Sequence, residues 1–202
     1  MSYCAILDYG AGNIRSVEKA VKRLGHSTVL TDRVQDVRGA SHVILPGVGA
    51  FGDAMERLNK SGLTREIREI CNKGVPFLGI CLGLQLLYPS SEESTGAEGI
   101  GILEGNIVRI PGDKLKVPHI GWNSLALSGD GRLFKGVPDH SFVYFVHSYY
   151  LKAKDRSTVK AATSYGVEID ASVESGNVFA CQFHPEKSSE AGLTILDNFL
   201  HI

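Results

Sequence analysis

Short, largely apolar runs that break straight into glycine-containing turns recur through the first 90 residues and leave this chain few folds to choose from. Tyr3 to Leu7 gives way to Asp8-Tyr9-Gly10-Ala11-Gly12-Asn13, His42 to Leu45 to Pro46-Gly47-Val48-Gly49, and Pro76 to Ile80 to Cys81-Leu82-Gly83. Runs this short, bounded by turn residues, read as buried strands. The spacing between them is helical. Ile14, Val17, Val21 and Leu24 mark one helix stopped by Gly25, and a second stretch from about Asp53 to Cys71 breaks near Ser61-Gly62. With a further strand at Thr28 to Leu30, strands alternate with helices, which predicts a mostly parallel sheet covered on both faces. In such α/β sheets the functional site lies at the carboxyl ends of the strands.

The second half changes character. Ile107–Ile110, Trp122–Leu127, Phe142–Val146, Val159–Ala162, Val167–Val173 and Val178–Phe183 are strand-like with short turns. They predict antiparallel additions to the same sheet or a small flanking sheet, closed by a helix from Ser189 to Leu200. Pro89 to Gly99 and Ser128 to Asp139 are polar, turn-rich surface loops. At 202 residues the chain is expected to form a single domain over residues 1–202.

A net charge of −1 gives no basic face for nucleic acid or an anionic membrane. With neither a leader nor an apolar stretch of about 20 residues, a cytoplasmic location is expected. In a reducing compartment Cys4, Cys71, Cys81 and Cys181 are expected as free thiols, and their spacing suits no metal. His26, His42, His140 and His201 likewise show no metal spacing, so neither a metal nor an organic cofactor is expected.

Cys81 stands out among the cysteines. Gly79-Ile80-Cys81-Leu82-Gly83 lies between a strand and the helical run Leu84 to Leu87, the pattern of a nucleophile elbow with cysteine in place of serine. A helix starting behind the thiol favours the thiolate. An arbitrary cysteine is more often a core residue, but the flanking glycines reverse that preference here. A thiolate nucleophile needs a base, and Phe183-His184-Pro185-Glu186 follows a strand in the same sheet. Pro185 restricts the backbone so that Glu186 can orient the His184 imidazole. Alone, His-Pro-Glu reads as a surface turn; paired with the elbow, it completes a triad. Pro46-Gly47-Val48-Gly49 is either a tight loop or a source of oxyanion-binding amides, and the elbow favours the second.

These motifs resemble those of the class I (triad-type) glutamine amidotransferase family. Within it, Asp8 to Asn13, Leu45 to Gly52, Lys116 to Asn123, Phe145 to Tyr149 and Gln182 to Ser188 resemble the glutaminase subunits of imidazole glycerol phosphate synthases, in family order over nearly the whole chain. The resemblance implies a glutamyl thioester on Cys81, with His184 and Glu186 completing the triad and Val48 and Leu82 supplying oxyanion-hole amides. It implies substrate contacts at Gly49, Gln85, Glu93 and the backbone of Ser148 and Tyr149, and a Val48 strand able to reorient when the partner is loaded. The segment Leu86 to Glu93 departs from the family pattern, which weakens the carry-over to Glu93. The implied partner is a (β/α)8-barrel cyclase subunit in a heterodimer for histidine biosynthesis, touching Asn13, Trp122, Tyr144 and Lys187. Without the resemblance, Asn13 reads as a helix N-cap, Trp122 and Tyr144 as core aromatics and Lys187 as a solvated lysine. His119 and His147 read as residues that shape the fold. The alternatives are the glutaminase of another ammonia-using synthase, such as pyridoxal phosphate synthase, and a thiol protein that is not an amidotransferase.

Overall fold

The leading apolar runs become strands β1 (Cys4–Leu7), β2 (Thr28–Thr31), β3 (His42–Gly47) and β4 (Phe77–Cys81). The structure, a computed structural model, describes residues 2–10, 13–112 and 115–202. Ala11 and Gly12 of the first glycine turn therefore lie outside the described residues. The helical spacings become α1 (Ile14–Arg23), α3 (Phe51–Ser61) and α4 (Leu63–Asn72), with left-handed Gly62 at the break between the last two. A short helix α2 (Val34–Arg38) escapes the sequence reading because one helical turn is too short to carry a periodicity.

Helix α5 (Leu82–Leu86) leads into the second half, which contains β5 (Gly105–Arg109), β6 (His119–Ser124), β7 (Ala126–Leu127), β8 (Phe142–His147) and β9 (Tyr149–Ala153). It ends with β10 (Val159–Ser164), β11 (Glu168–Ser175), β12 (Val178–Cys181) and α6 (Ser189–Leu200). Strand β9 was not anticipated; Tyr-Tyr-Leu-Lys-Ala lacks a clean alternation and follows β8 after Ser148 alone. Phe183, expected in the last strand, lies beyond its end.

The main sheet has eight strands in the order β2-β1-β3-β4-β12-β11-β10-β7. Strands β2, β1, β3, β4 and β12 run parallel, while β11, β10 and β7 join antiparallel. Two ribbons, β5–β9 and β6–β8, flank it, so both forms of antiparallel addition are present. Alternation within each strand builds one core on each face. Ala5, Leu7, Val43, Leu45 and Phe77 pack with α3 and α4 through Leu58, Leu63 and Ile67. Cys4, Ile6, Ile44, Leu78 and Phe179 pack with α1 and α6 through Val17, Val21, Ile195 and Phe199.

This topology sets β12 directly beside β4, with Cys181 level with Ile80. The turn after β3, the end of β4 and the turn after β12 therefore open at one edge of the sheet. At that edge α5 lies hard against β3. A Cβ on Gly83 would overlap the Leu45 carbonyl oxygen, and one on Gly79 would sit 2.7 Å from the Gly83 oxygen. These glycines are set by packing, whereas Gly25, left-handed at φ 86°, stands in open space.

Gly83→Ala is expected to lower stability by at least about 2–3 kcal/mol, because the neighbour it meets is backbone that cannot move aside. Gly25→Ala carries only the left-handed penalty, about 1–2 kcal/mol. Urea melts of both variants would expose an error if the Gly83 substitution proved the milder.

Candidate active site

Cys81 ends β4 and caps α5 with φ 55° and ψ −109°, a left-handed backbone that a non-glycine residue adopts at a cost of about 1–3 kcal/mol. Burial of a few core side chains, each about 1.5–3 kcal/mol, offsets it. The bend aims the thiol into a cleft instead of into the sheet. Its sulfur faces the Val146 carbonyl at 3.8 Å and receives the Gln182 side-chain amide at 3.7 Å.

His184 lies just past β12, and its backbone N–H donates to the Tyr144 carbonyl at 2.9 Å. Its ring is almost wholly buried, with Nδ1 2.9 Å from Glu186 Oε1. The same carboxylate oxygen accepts the Asn13 side-chain amide at 2.6 Å. Asn13 thus occupies the N-cap position of α1 without a capping bond, its side chain spent on Glu186. The other imidazole nitrogen, Nε2, is buried and has no hydrogen-bond partner. Burial opposes charge on His184, but its interactions with Cys81 and the Glu186 carboxylate outweigh it and raise its pKa from 6.5 to about 9. A proton is therefore held on the imidazole at neutral pH, between the Cys81 sulfur and the Glu186 carboxylate.

The cleft above the thiol is a cavity of about 280 Å³ lined by Val48, Gly49, Cys81, Leu82, Gln85, Glu93, Ser148, Tyr149 and His184, with His147 and Val146 beside them. That volume falls at the lower limit of ligand pockets, about 300–1,000 Å³, and suits a molecule of amino-acid size. Residues from the turn after β3, the elbow, the loop before β5 and the β8–β9 corner all meet here. Gln85 donates its amide to the Tyr149 carbonyl at 3.0 Å and to Gln182 Oε1 at 3.1 Å. Glu93 accepts the Phe51 N–H at 2.8 Å, which fixes its carboxylate at the start of α3.

One contributor, Gln182, was given no role in the sequence reading, and another, His147, was read there only as shaping the fold. Gln182, fully buried, bridges Cys81 and Gln85; in the sequence it stood only as the first residue of the Gln182 to Ser188 block, two residues before His184. His147 lines the cleft and belongs to a directed chain. A carbonyl only accepts, so Nδ1 of His147 donates to the Tyr149 oxygen at 2.9 Å, and its Nε2 accepts from His119 Nδ1 at 3.0 Å. Burial, more than the proximity of His119 and His184, lowers the His147 pKa to about 4 against the backbone hydrogen bond that raises it. Burial likewise lowers His119. The pair is neutral and braces the β8–β9 corner.

The remaining cysteines are core residues whose thiols burial pushes up, Cys4 and Cys71 to about 12. Trp122 is not the core aromatic that the sequence alone suggested. Trp122 and Tyr144 are opposite one another on the β6–β8 ribbon, their rings 6.2 Å apart, and Trp122 is 51% exposed. The Lys187 ammonium stands 5.9 Å from the Tyr144 ring centre.

The profile of the family described as glutamine amidotransferase class-I matches residues 5–202. The chain belongs to that family. It is 50% identical over 195 residues to the imidazole glycerol phosphate synthase subunit HisH of Moorella thermoacetica, covering 96% of this chain and 92% of the relative. It is 46% identical over 202 residues to the HisH subunit of Methanosarcina barkeri, covering 99% and 98%. The fold matches a crystal structure of a glutamine amidotransferase with a TM-score of 0.77 at 21% identity, over 98% of this chain and 99% of that one. A chain of PurLQS from Thermotoga maritima matches with a TM-score of 0.75 at 22% identity, over 100% and 99%.

Cys81 and Glu186 both raise the His184 pKa, so removing either lowers it. In an NMR pH titration the His184 imidazole of the wild type is expected to titrate near 9, and in Glu186→Gln at lower pH; an unchanged midpoint would refute the pairing. His147 has the opposite sign: its contribution to stability is complete above pH 6.5 and is lost as pH falls toward about 4. Its imidazole signal should accordingly show no protonation between pH 7 and 5.

Proposed function

We propose that this chain is the glutaminase subunit of an imidazole glycerol phosphate synthase in histidine biosynthesis. It hydrolyses glutamine to glutamate and ammonia and delivers the ammonia to a (β/α)8-barrel cyclase subunit. The observation that carries the reading is the Cys81 thiol on its elbow, placed between the Gln182 amide and the Glu186-bound His184 imidazole, inside a cleft of amino-acid size.

The Cys81 thiolate attacks the carboxamide carbon of glutamine. The oxyanion that forms is met by backbone amides of Val48 and Leu82, at the turn after β3 and the start of α5. The tetrahedral intermediate collapses as His184 gives its proton to the departing nitrogen, leaving ammonia and a glutamyl thioester. A water, deprotonated by His184, then attacks the thioester; glutamate leaves and the thiol returns. Glu186 holds the imidazole orientation throughout and stabilises its charged form, and Asn13 holds Glu186. Gly49, Gln85, Glu93 and the backbone of Ser148 and Tyr149 surround the amino-acid end of the substrate.

Ammonia released into neutral water is protonated and ceases to be a nucleophile, which favours a partner seated over the cleft. The β6–β8 ribbon supports that placement. Ile120, Trp122 and Phe142 are 57%, 51% and 61% exposed, an apolar face beside the corner that lines the cleft. With Tyr144 and Lys187 alongside, it has the aromatic and cationic composition of a binding anchor. Among the described residues no helix is long and apolar enough to cross a membrane, in keeping with a cytoplasmic enzyme.

Glutamate production from glutamine, measured for the chain alone and with a cyclase subunit and its nucleotide ligand, tests the reading. Turnover is expected to rise in the complex and to vanish in Cys81→Ala. No turnover in any mixture would return the thiol-protein alternative. Trp122→Ala is expected to weaken association with the cyclase by about 2 kcal/mol or more, roughly thirtyfold in Kd, while leaving the basal turnover of the isolated chain unchanged.

A further inference from the structure

At the opposite edge of the sheet from Cys81, residues far apart in sequence meet. His26 sits in the turn between α1 and β2, Asp197 in the last turn of α6, and His201 just beyond that helix. One donor atom from each lies within 4.8 Å of the other two, and the His26 and His201 rings meet edge-on with centres 5.3 Å apart. We propose that His26, Asp197 and His201 bind a divalent transition metal ion of the Zn2+ class, which staples the end of α6 to the α1–β2 turn.

The donor set and its orientation support this. Two imidazoles and one carboxylate suit Zn2+, Co2+ and Ni2+ and are poor ligands for Mg2+ or Ca2+. Asp197 and His201 are four residues apart at a helix end, which brings both side chains to one face. His201 Nδ1 lies 2.8 Å from the Asp197 backbone carbonyl and must donate to it. That bond fixes the tautomer and leaves the Nε2 lone pair for a metal, the outer-sphere arrangement typical of histidine ligands. The Asp197 and His201 side chains are 45% and 65% exposed, so an ion has an open approach and water can complete its coordination.

The surroundings agree. His42 packs edge-on against Phe199 of α6, and its buried Nε2 has no hydrogen-bond partner. Burial first, then the proximity of His26 and His201, lowers its pKa. The ion would join two helices that already pack on the same face of the sheet. The site is remote from the cleft and does not depend on the function proposed above.

Equilibrium dialysis of the chelator-stripped full chain against Zn2+ tests the proposal, using Cys81→Ala so that the catalytic thiol cannot bind the ion. One equivalent is expected. His26→Gln, His201→Gln and, as a milder change, Asp197→Asn should each weaken binding by about tenfold or more. Co2+ in place of Zn2+ should give visible bands of a nitrogen and oxygen site without thiolate charge transfer. Zn2+ should raise the melting temperature of the parent chain but not of His201→Gln. Less than one equivalent bound, thiolate bands, or affinities unchanged in all three variants would overturn the assignment. His201→Gln in the chain with Cys81 intact should retain full glutaminase activity.

Discussion

The close seating of α5 on β3 is the constraint from which the rest of this site follows. Because the Gly83 backbone lies against the Leu45 carbonyl, the chain must turn sharply at Cys81. That turn raises the thiol above the sheet edge and begins a helix behind it. A larger residue at position 83 would lift α5 and, with it, Leu82, Gln85 and the floor of the cleft. The left-handed backbone at Cys81 persists because strands on both sides and two cores hold it in place.

The second dependence is electrostatic. A carboxylate as deeply buried as Glu186 is costly unless its charge is answered, and here His184 and Asn13 share one of its oxygens. The imidazole thereby keeps its proton despite burial, while His147, equally buried but facing a backbone carbonyl and another histidine, loses its own. Two histidines in one cleft thus hold opposite charge states at neutral pH. The difference is an anion beside one ring and none beside the other.

Much of the site was legible in the sequence, because its key residues sit where local rules are strongest. Cys81 lies between glycines at a strand end, His184 and Glu186 are joined by a proline, and Val48 and Gly49 follow a strand directly. The α6 boundaries were legible too, since the helix carries a full periodicity. Strand β9 and helix α2 were not, one for want of alternation and the other for want of length. Trp122 was misjudged from its own chemistry, as an aromatic on an alternating strand gives no sign of which face the core will cover.

The sequence by itself determined the elements and the reactive types: parallel strands ending in glycine turns, a cysteine elbow, and an imidazole with its carboxylate two residues on. These are local matters of backbone sterics and periodicity. Only the tertiary structure decided which of them meet. The order β3-β4-β12 brings His184 to Cys81 across more than half the chain, places Gln182 against the sulfur and turns Asn13 from a helix cap into the support of Glu186. The same packing gathers His26, Asp197 and His201 at the far edge, where sequence spacing gives no hint of a cluster. Such encounters follow from long-range strand pairing and helix docking, which are fixed by burial of the whole core and not by any segment of the chain.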